Sequence, residues 1–316
     1  MPVYDIIGDI HGHADALEAL LDRLGYRETG GAYRQPGHHA VFLGDFVDRG
    51  PRQLRVLEIA RRMLDAGTAS AIQGNHEFNA ICWATPSPLR EGAFIRPHKD
   101  ANRYQHRAFL EAVGEDSPLH REMVSWFRTL PLWLELPGFR AVHACWHPGS
   151  MVLLRPWLDD RNCLTQAAID AYAERGSPVY LALETVLKGI EVELPPGVTY
   201  FDGYGQERRI SRVRWWDRAG VTYRSAALVA EHLAARIPDT PLPADKRVDY
   251  DGAKPVFFGH YWMRGEPYLV APDMACLDFS VAKDGWLCAY SFDGEPALDP
   301  DRLVAVRPVP EPAFAP

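Results

Sequence analysis

The sequence lacks the marks of a disulfide-stapled, zinc-ribbon or membrane protein. Its 316 residues include only five cysteines, an odd number, and no C-x-x-C pair. Neither a disulfide framework nor a zinc ribbon is indicated, and a reducing compartment fits best. No uncharged apolar run approaches the length that crosses a bilayer, and the N-terminus has no basic segment ahead of an apolar one. We expect a cytoplasmic protein without a membrane partner.

Positive charge is also in short supply. The chain has 34 Lys and Arg residues against 42 Asp and Glu residues, which gives a formal net charge of -8. Such a chain would repel a nucleic-acid backbone unless basic residues or metal ions were concentrated locally. Together with the lack of a basic stripe, this balance disfavours a nuclease and predicts no non-specific nucleic-acid binding.

Internal repeats and low-complexity linkers are absent as well. With 47% hydrophobic residues, the chain can bury a large core without help from a partner. Its length alone allows one large domain or two ordinary ones, because about 150 residues per domain is a prior and not a count. The number of domains therefore has to be judged from the distribution of the functional residues.

What the sequence does contain, near its start, is a repeated strand–loop–helix pattern. The β-rich runs cover residues 3–7, 40–43 and 69–72, and each is followed by a polar loop that contains glycine. After the first loop, apolar residues recur at helical spacing over residues 14–24. This recurring order of strand, loop and helix predicts an α/β protein whose functional groups lie at the carboxyl ends of the strands.

Further along, two variable stretches with helical signals interrupt the strands. They cover residues 83–133 and 148–197. Other strand candidates lie at residues 140–145, 210–216 and 256–258, and a closing hairpin is predicted from residues 276–281 and 286–292. We interpret the two variable stretches as cap insertions.

Three of the loops place short polar side chains beside glycines. They are GDIHG (8–12), GDFVDRG (44–50) and GNHE (74–77), and two isolated histidines, His143 and His260, follow later strands. Aspartate, asparagine and histidine are the ligand set of borderline divalent metals, and glycine lets the backbone turn sharply so that ligands converge. We infer a two-metal hydrolytic centre, in which one carboxylate bridges ions about 3.5–4 Å apart.

These boxes and histidines resemble the phosphoprotein phosphatase branch of the calcineurin-like metallophosphoesterases. That branch is marked by GDxHG, GDxVDRG and GNHE; here 31 residues separate the first two boxes and 23 separate the second from the third. The resemblance covers Asp5 to about Phe292, nearly the whole chain. Three spaced boxes are far less frequent by chance than one.

The resemblance implies a fold and a domain organisation. The fold is of the α/β (α+β) class, a four-layer arrangement of two facing mixed β-sheets flanked by helices. Residues 83–133 and 148–197 would be helical cap insertions. A single domain over residues 1–316 is expected. The residues of one site run from Asp9 to His260, and a division into two independent domains would separate them.

The resemblance also implies a dinuclear metal centre, with Asp45 as the bridge. The implied ligands are Asp9, His11 and Asp45 for the first ion and Asp45, Asn75, His143 and His260 for the second. A metal-bridging hydroxide would attack phosphorus in line. Manganese is the favoured metal, and the mixed nitrogen and oxygen ligands also accept Fe, Zn, Co or Ni.

The same resemblance implies separate residues for the general acid, for the carboxylate that orients it and for phosphate binding. His76 matches the general acid that protonates the leaving oxygen, and Asp48 matches the carboxylate that orients its imidazole. Arg49 matches an arginine that clamps the phosphate with its fixed fork of donors. A second phosphate-binding arginine is expected as well. Arg212 and Arg214 share one face of a predicted strand by period two, and Arg214 is favoured with Arg212 close behind.

The substrate is left open by motifs that point in two directions. The GNHE box ends in Glu77, as in protein phosphatases, whereas FFGH (257–260) and SRVRWW (211–216) look like bacterial diadenosine tetraphosphatases. The favoured function is hydrolysis of phosphoester or phosphoanhydride bonds in nucleotide or small phosphorylated substrates. The alternative is a Ser/Thr or Tyr protein phosphatase, and a remote one is a non-catalytic scaffold.

Overall fold

The computed structural model describes residues 2–201, 206–218 and 221–308. The domain predicted over residues 1–316 also includes residues 1, 202–205, 219–220 and 309–316, which lie outside the described residues. The strands are β1 (Val3–Ile7), β2 (Arg27–Thr29), β3 (Ala32–Arg34), β4 (His38–Phe42), β5 (Ala69–Ala71), β6 (Trp133–Glu135), β7 (Arg140–Val142), β8 (Glu191–Glu193), β9 (Tyr200–Phe201), β10 (Glu207–Arg208), β11 (Ile210–Arg212), β12 (Val256–Phe258), β13 (Met274–Cys276), β14 (Asp278–Phe279), β15 (Trp286–Phe292) and β16 (Leu303–Val306).

The helices lie in the connections between these strands. None of the described helices is long and apolar enough to cross a membrane. They are α1 (Ala14–Arg23), α2 (Gln53–Asp65), α3 (Asn75–Ala84), α4 (Asp100–Val113), α5 (Pro118–Phe127), α6 (Pro148–Leu154), α7 (Gln166–Tyr172), α8 (Pro178–Lys188), α9 (Tyr223–Ala226) and α10 (Glu231–Ala234).

Two mixed sheets form the centre of the fold. In the larger sheet the strands run in the order β14-β15-β1-β4-β5, with β16 paired to β15. Here β1, β4 and β5 are parallel, and β15 is antiparallel to β1. The smaller sheet has the order β13-β12-β7-β6, in which β12 is parallel to both of its neighbours and β6 is antiparallel to β7. The predicted mixed α/β class is therefore confirmed.

Aromatic rings from the two sheets meet in the core between them. The ring centroid of Phe257 in β12 lies 5.2 Å from that of Tyr290 and 5.9 Å from that of Phe292, both in β15. Phe139, just before β7, packs edge-on against Tyr4 of β1 at 5.1 Å. Because buried aromatic pairs add to the free energy of apolar burial, these contacts hold the sheets face to face.

Helices cover the outer face of the larger sheet, because apolar parallel strands such as β1, β4 and β5 have to be buried on both faces. Helix α1 begins at Ala14 and turns Leu17, Leu20 and Leu21 inward at the spacing of one helical face. It packs against β15 and β16, while α2 packs against β3 and β5. The stretches 83–133 and 148–197 contain α4 and α5, and α6 to α8, respectively; their status as insertions stays a prediction.

The strand predicted over residues 210–216 is shorter in the structure. After β11 the chain turns, because the Asp217 backbone N–H donates to the Arg214 carbonyl at 3.0 Å. The turn directs Trp215 and Trp216 into the core, where their rings lie 4.9 Å and 5.3 Å from that of Phe258. The predicted closing hairpin forms from β14 and β15, which pair antiparallel.

Candidate metal centre

The polar loops meet because the strands that precede them end side by side. Ile7 of β1 is paired with Phe42 of β4, and Phe42 with Ala71 of β5. The first two loops are joined directly, since the backbone N–H groups of Ile10 and His11 both donate to the Asp45 carbonyl, at 3.1 Å and 2.8 Å. The three boxes therefore open onto one edge of the larger sheet.

The smaller sheet brings the two isolated histidines to the same edge. His143 follows β7 and His260 follows β12, and these strands are parallel neighbours. The Gly259 backbone N–H donates to the His143 carbonyl at 2.8 Å. A Cβ at Gly259 would lie 1.9 Å from Asp9 Oδ1, so only glycine allows this close approach.

Several of these loop residues hold an unusual backbone conformation. Left-handed φ angles occur at His11 (47°), Asp45 (51°), Asp48 (70°), Arg49 (75°) and His260 (73°). Residues with a side chain adopt this region at a cost of about 1–2 kcal/mol each. Strain concentrated at one place points to a functional site, because the surrounding fold has to hold it there.

All six predicted ligands are buried and lie around one carboxylate. His11 Nε2 is 3.6 Å from Asp45 Oδ2, and His143 Nε2 is 3.4 Å from Asp45 Oδ1. Asn75 Oδ1 lies 3.0 Å from His143 Nε2 and 2.7 Å from His260 Nδ1. Two groups of ligand atoms, each within 4.8 Å of one another, share Asp45: one contains His11 and His76, the other His143 and His260.

The donor set fits divalent metal ions. Asp9 Oδ1, His11 Nε2 and His260 Nε2 are buried with no hydrogen-bond partner among the described residues. Unpaired buried atoms of this kind are rare and call for an explanation, and a cation would pair all three. Oxygen and imidazole nitrogen together suit borderline divalent metals.

Backbone carbonyls set the tautomers of two of these histidines. His11 Nδ1 lies 3.0 Å from the Val47 carbonyl, and His143 Nδ1 lies 2.8 Å from the Leu43 carbonyl. A carbonyl only accepts, so each Nδ1 carries a proton and Nε2 is the ring atom that points towards Asp45. Such partners orient metal-binding imidazoles in other proteins.

Burial and charge together prepare these groups for cations. Burial lowers the pKa of His11 to about 4, with a further contribution from His76. Burial, the charge of Arg212 and then His143 hold the pKa of His260 well below its ordinary value. Burial tends to raise the pKa of Asp45, but His143 and His76 hold it well below the ordinary value. Neutral imidazoles and an ionised carboxylate are the forms that bind metal.

The predicted acid and its partner lie beside the cluster. His76 Nδ1 is 2.5 Å from Asp48 Oδ2, and the His76 backbone N–H donates to Asp45 Oδ1 at 3.0 Å. Burial opposes the charged imidazole, but the carboxylates of Asp45 and Asp48 raise the pKa of His76 above its ordinary value. Asp48 also contacts His106 of α4, which the sequence analysis did not single out.

The predicted phosphate-binding arginines differ in their surroundings. The Arg49 guanidinium lies 5.2 Å from the ring centroid of Trp262. Arg214 Nη2 donates to the Ser225 carbonyl, and Arg214 Nε is buried with no partner among the described residues. Arg212 is near enough to the predicted ligand His260 for its charge to lower the pKa of that residue, after the larger contribution of burial. The preference for Arg214 over Arg212 stays a prediction.

Two buried carboxylates that sequence reasoning did not place in the site hold its loops. Glu77 accepts backbone N–H groups of Asp45 at 2.8 Å, Phe46 at 2.9 Å and Gly74 at 3.0 Å. Asp278 accepts the backbone N–H of Trp262 at 2.7 Å. The signal for Glu77 was its position at helix residue N3 after Gly74, whereas nothing in the sequence near Asp278 indicates its contact with residue 262.

Comparison with known protein families matches residues 3–162 to the family model of the calcineurin-like phosphoesterases. The asymmetrical bis(5'-nucleosyl)-tetraphosphatase PrpE of Halalkalibacterium halodurans is 45% identical over 74 residues, 23% of this chain and 30% of that protein. The match thus spans less than a third of that relative. A crystal structure of a candidate diadenosine tetraphosphatase has 18% identity and a TM-score of 0.47, covering 97% of this chain and 95% of that one. A Saccharomyces cerevisiae protein serine/threonine phosphatase similar to human PP5 has 14% identity and a TM-score of 0.47, covering 99% and 82%.

Proposed function

This chain belongs to the calcineurin-like phosphoesterase family, and we propose that it hydrolyses phosphoester or phosphoanhydride bonds of nucleotide or other small phosphorylated substrates with two divalent metal ions. The observation that carries the proposal is the shared carboxylate of Asp45. It belongs to two groups of buried ligand atoms, and three atoms near it have no partner among the described residues.

The residues divide between two cations. One would be held by Asp9, His11 and Asp45, and the other by Asp45, Asn75, His143 and His260. Bound there, two divalent ions would neutralise phosphate charge and lower the pKa of water. We propose manganese as the metal and, because the five cysteines are buried and unpaired, a cytoplasmic location.

We assign His76 to proton transfer although its ring lies within reach of Asp45. Its Nδ1 is engaged by Asp48 at 2.5 Å, and its Nε2 lies 3.9 Å from Asp45 Oδ2. The Nδ1 contact fixes the direction of the ring, so Nε2 is the atom that delivers a proton to a leaving oxygen. A group used as a ligand could not also deliver that proton.

We assign phosphate binding to arginines near this cluster. We propose Arg49 together with one of Arg212 and Arg214, and we favour Arg212 because Nη2 of Arg214 already donates to the Ser225 carbonyl. A guanidinium offers paired donors that match two phosphate oxygens.

The proposed metal ligands come from both sheets and from both halves of the chain, which supports a single domain.

A cation-rich aromatic surface beside Arg49 supports a polyphosphate substrate over a phosphoprotein. Trp262 has the Arg49 guanidinium 5.2 Å and the Lys283 ammonium 3.8 Å from its ring centroid. Lys283 also lines an adjoining pocket of about 430 Å³ with Arg264 and Arg307, beside the acidic Glu266 and Asp284. These cations would bind phosphates away from the reacting one.

The test is a comparison of substrates at one manganese concentration. We expect kcat/KM for diadenosine tetraphosphate to exceed that for phosphoserine, phosphothreonine and phosphotyrosine peptides, and Asp45→Asn to abolish turnover of all of them. Preference for the peptides would support the protein phosphatase alternative. A folded, manganese-loaded protein that hydrolyses none of these substrates would refute the proposed activity and favour a non-catalytic scaffold.

A further inference from the structure

A second histidine lies behind the proposed acid, at the far side of Asp48. His106 is in α4, within the stretch 83–133, and its side chain is 1% exposed. Its Nδ1 is 2.9 Å from Asp48 Oδ1 and 3.1 Å from Asp48 Oδ2. Since an ionised carboxylate only accepts, Nδ1 of His106 carries the proton and donates it to Asp48.

Asp48 therefore connects two imidazoles. Its Oδ2 lies 2.5 Å from His76 Nδ1, while His106 Nδ1 donates to the carboxylate within reach of both oxygens. The Asp48 backbone N–H is held in turn by Gln53 Oε1 at 2.8 Å. With its carboxylate contacted by two imidazoles and its backbone held by Gln53, the Asp48 side chain has little freedom to rotate. The His76 ring that it orients has little freedom as well.

We propose, on the basis of the proposed function, that His106 is a positioning residue for proton transfer: its Nδ1–H fixes the Asp48 carboxylate, which holds the His76 imidazole in the orientation that protonates the leaving group. His106 itself does not touch substrate. The efficiency of the acid would then depend on a helix of the stretch 83–133 as well as on the three loops.

Packing alone does not explain a histidine at this position. The ring of His106 lies 5.0 Å from that of Phe109 and 6.0 Å from that of Trp83, in apolar surroundings. Its Nε2 is buried with no partner among the described residues, which costs free energy that an apolar side chain would avoid. The hydrogen bond to Asp48 is what an apolar residue could not replace.

Helix α4 holds His106 firmly enough for this role. Phe109, Leu110 and Val113 lie on the same face, at spacings of three, four and seven residues, and all are buried. The helix packs against both α2 and α5. Because α2 carries Gln53, the two groups that hold Asp48 belong to helices in contact.

The experiment compares His106→Leu, which removes the donor, with His106→Asn, which retains one. His120→Leu is the matched control: His120 is a buried histidine of α5 that also packs on Phe109, at 5.8 Å, but its Nδ1 accepts the backbone N–H of Asp116. Each variant is loaded with manganese, and its metal content and thermal unfolding are measured. Turnover is followed on phenyl phosphate, a poor leaving group, and p-nitrophenyl phosphate, a good one.

We expect His106→Leu to lower kcat on phenyl phosphate about tenfold or more and to change kcat on p-nitrophenyl phosphate much less, since only the poor leaving group needs the acid. His106→Asn should recover most of the loss, and His120→Leu should show none of this selectivity. In a His76→Ala background the effect of His106→Leu should disappear, because both residues act through one proton transfer. Equal losses on both substrates, or a full additional loss in the His76→Ala background, would overturn the proposal.

A second measurement does not depend on turnover. In histidine-labelled protein, the Nδ1 proton of His76, identified by its absence in His76→Ala, should resonate far downfield because of the short contact with Asp48. His106→Leu should shift or broaden this signal, whereas His106→Asn and His120→Leu should leave it in place. An unchanged signal in His106→Leu refutes the positioning role, whether or not the protein hydrolyses phosphate esters. Absence of hydrolysis would refute the proposed function, and it would leave this measurement of the positioning role valid.

Discussion

Replacing Glu77 by glutamine tests whether one buried side chain holds two catalytic loops together. Glu77 Oε2 accepts the backbone N–H groups of Asp45 and Gly74, and Oε1 accepts that of Phe46. Glutamine has nearly the same volume but turns one of these acceptors into a donor. At least one buried N–H group therefore loses its partner and faces another N–H group.

The expected cost follows from the number of donors left unpaired. The glutamine amide can rotate so that it keeps the Asp45 and Gly74 N–H groups and loses that of Phe46 together with the longer Val47 contact at 3.4 Å, which costs about 1–3 kcal/mol of unfolding free energy. The opposite orientation loses two short hydrogen bonds and costs about twice as much. Because Phe46 directly follows Asp45, loss of its hydrogen bond loosens the loop that carries this ligand, and we also expect manganese affinity to fall about 10- to 100-fold.

Urea unfolding of the metal-free protein, followed by tryptophan fluorescence, measures the first effect, and calorimetric titration with Mn²⁺ measures the second. Glu111→Gln is the control, since the side chain of Glu111 is 71% exposed on α4 and should change stability by less than about 0.5 kcal/mol. If Glu77→Gln has the same urea midpoint as Glu111→Gln and binds manganese as the unchanged protein does, Glu77 does not hold the loops.

Three other substitutions separate the roles proposed for the site. His76→Ala should keep its manganese content by elemental analysis yet lose about 10²- to 10⁴-fold in kcat on phenyl phosphate; undiminished turnover would remove it from the role of acid. Arg212→Ala should lower kcat/KM about 10- to 100-fold, the loss of a charged hydrogen bond of about 1.5–3 kcal/mol, and more than Arg214→Ala does; the reverse order in two folded variants would restore the preference drawn from the sequence. Lys283→Gln should raise the KM for diadenosine tetraphosphate about tenfold without changing that for p-nitrophenyl phosphate, and an equal change for both would exclude a subsite beyond the reacting phosphate.

The sequence indicates which polar loops meet because the pattern that marks them is local. Glycine, aspartate and histidine stand together directly after β-rich runs, and parallel strands bring such loops to one edge. Asp9, Asp45 and Asn75 could all be found in this way. Their grouping around a single shared carboxylate depends on strand order, which the repeated pattern indicates only in outline.

The rest depends on contacts between distant parts of the chain. His106 reaches Asp48 across 58 positions, and Asp278 holds the backbone of Trp262 from another strand. Period two places Arg212 and Arg214 on one face of a strand, but β11 ends at Arg212, and the Arg214 guanidinium beyond it donates to the Ser225 carbonyl. Such differences arise from tertiary packing, which local residue patterns do not encode.

The left-handed backbone of the catalytic loops has a consequence for how this protein could change over generations. At His11, Asp45 and Arg49 the fold imposes φ angles that glycine adopts without cost. A mutation to glycine at one of these positions would remove a functional side chain and, at the same time, relieve about 1 kcal/mol of conformational strain. At Arg49, which is exposed and does not lose a buried hydrogen bond of the kind that His11 and Asp45 make, loss of function would then carry little folding penalty, so purifying selection would have to act on activity itself.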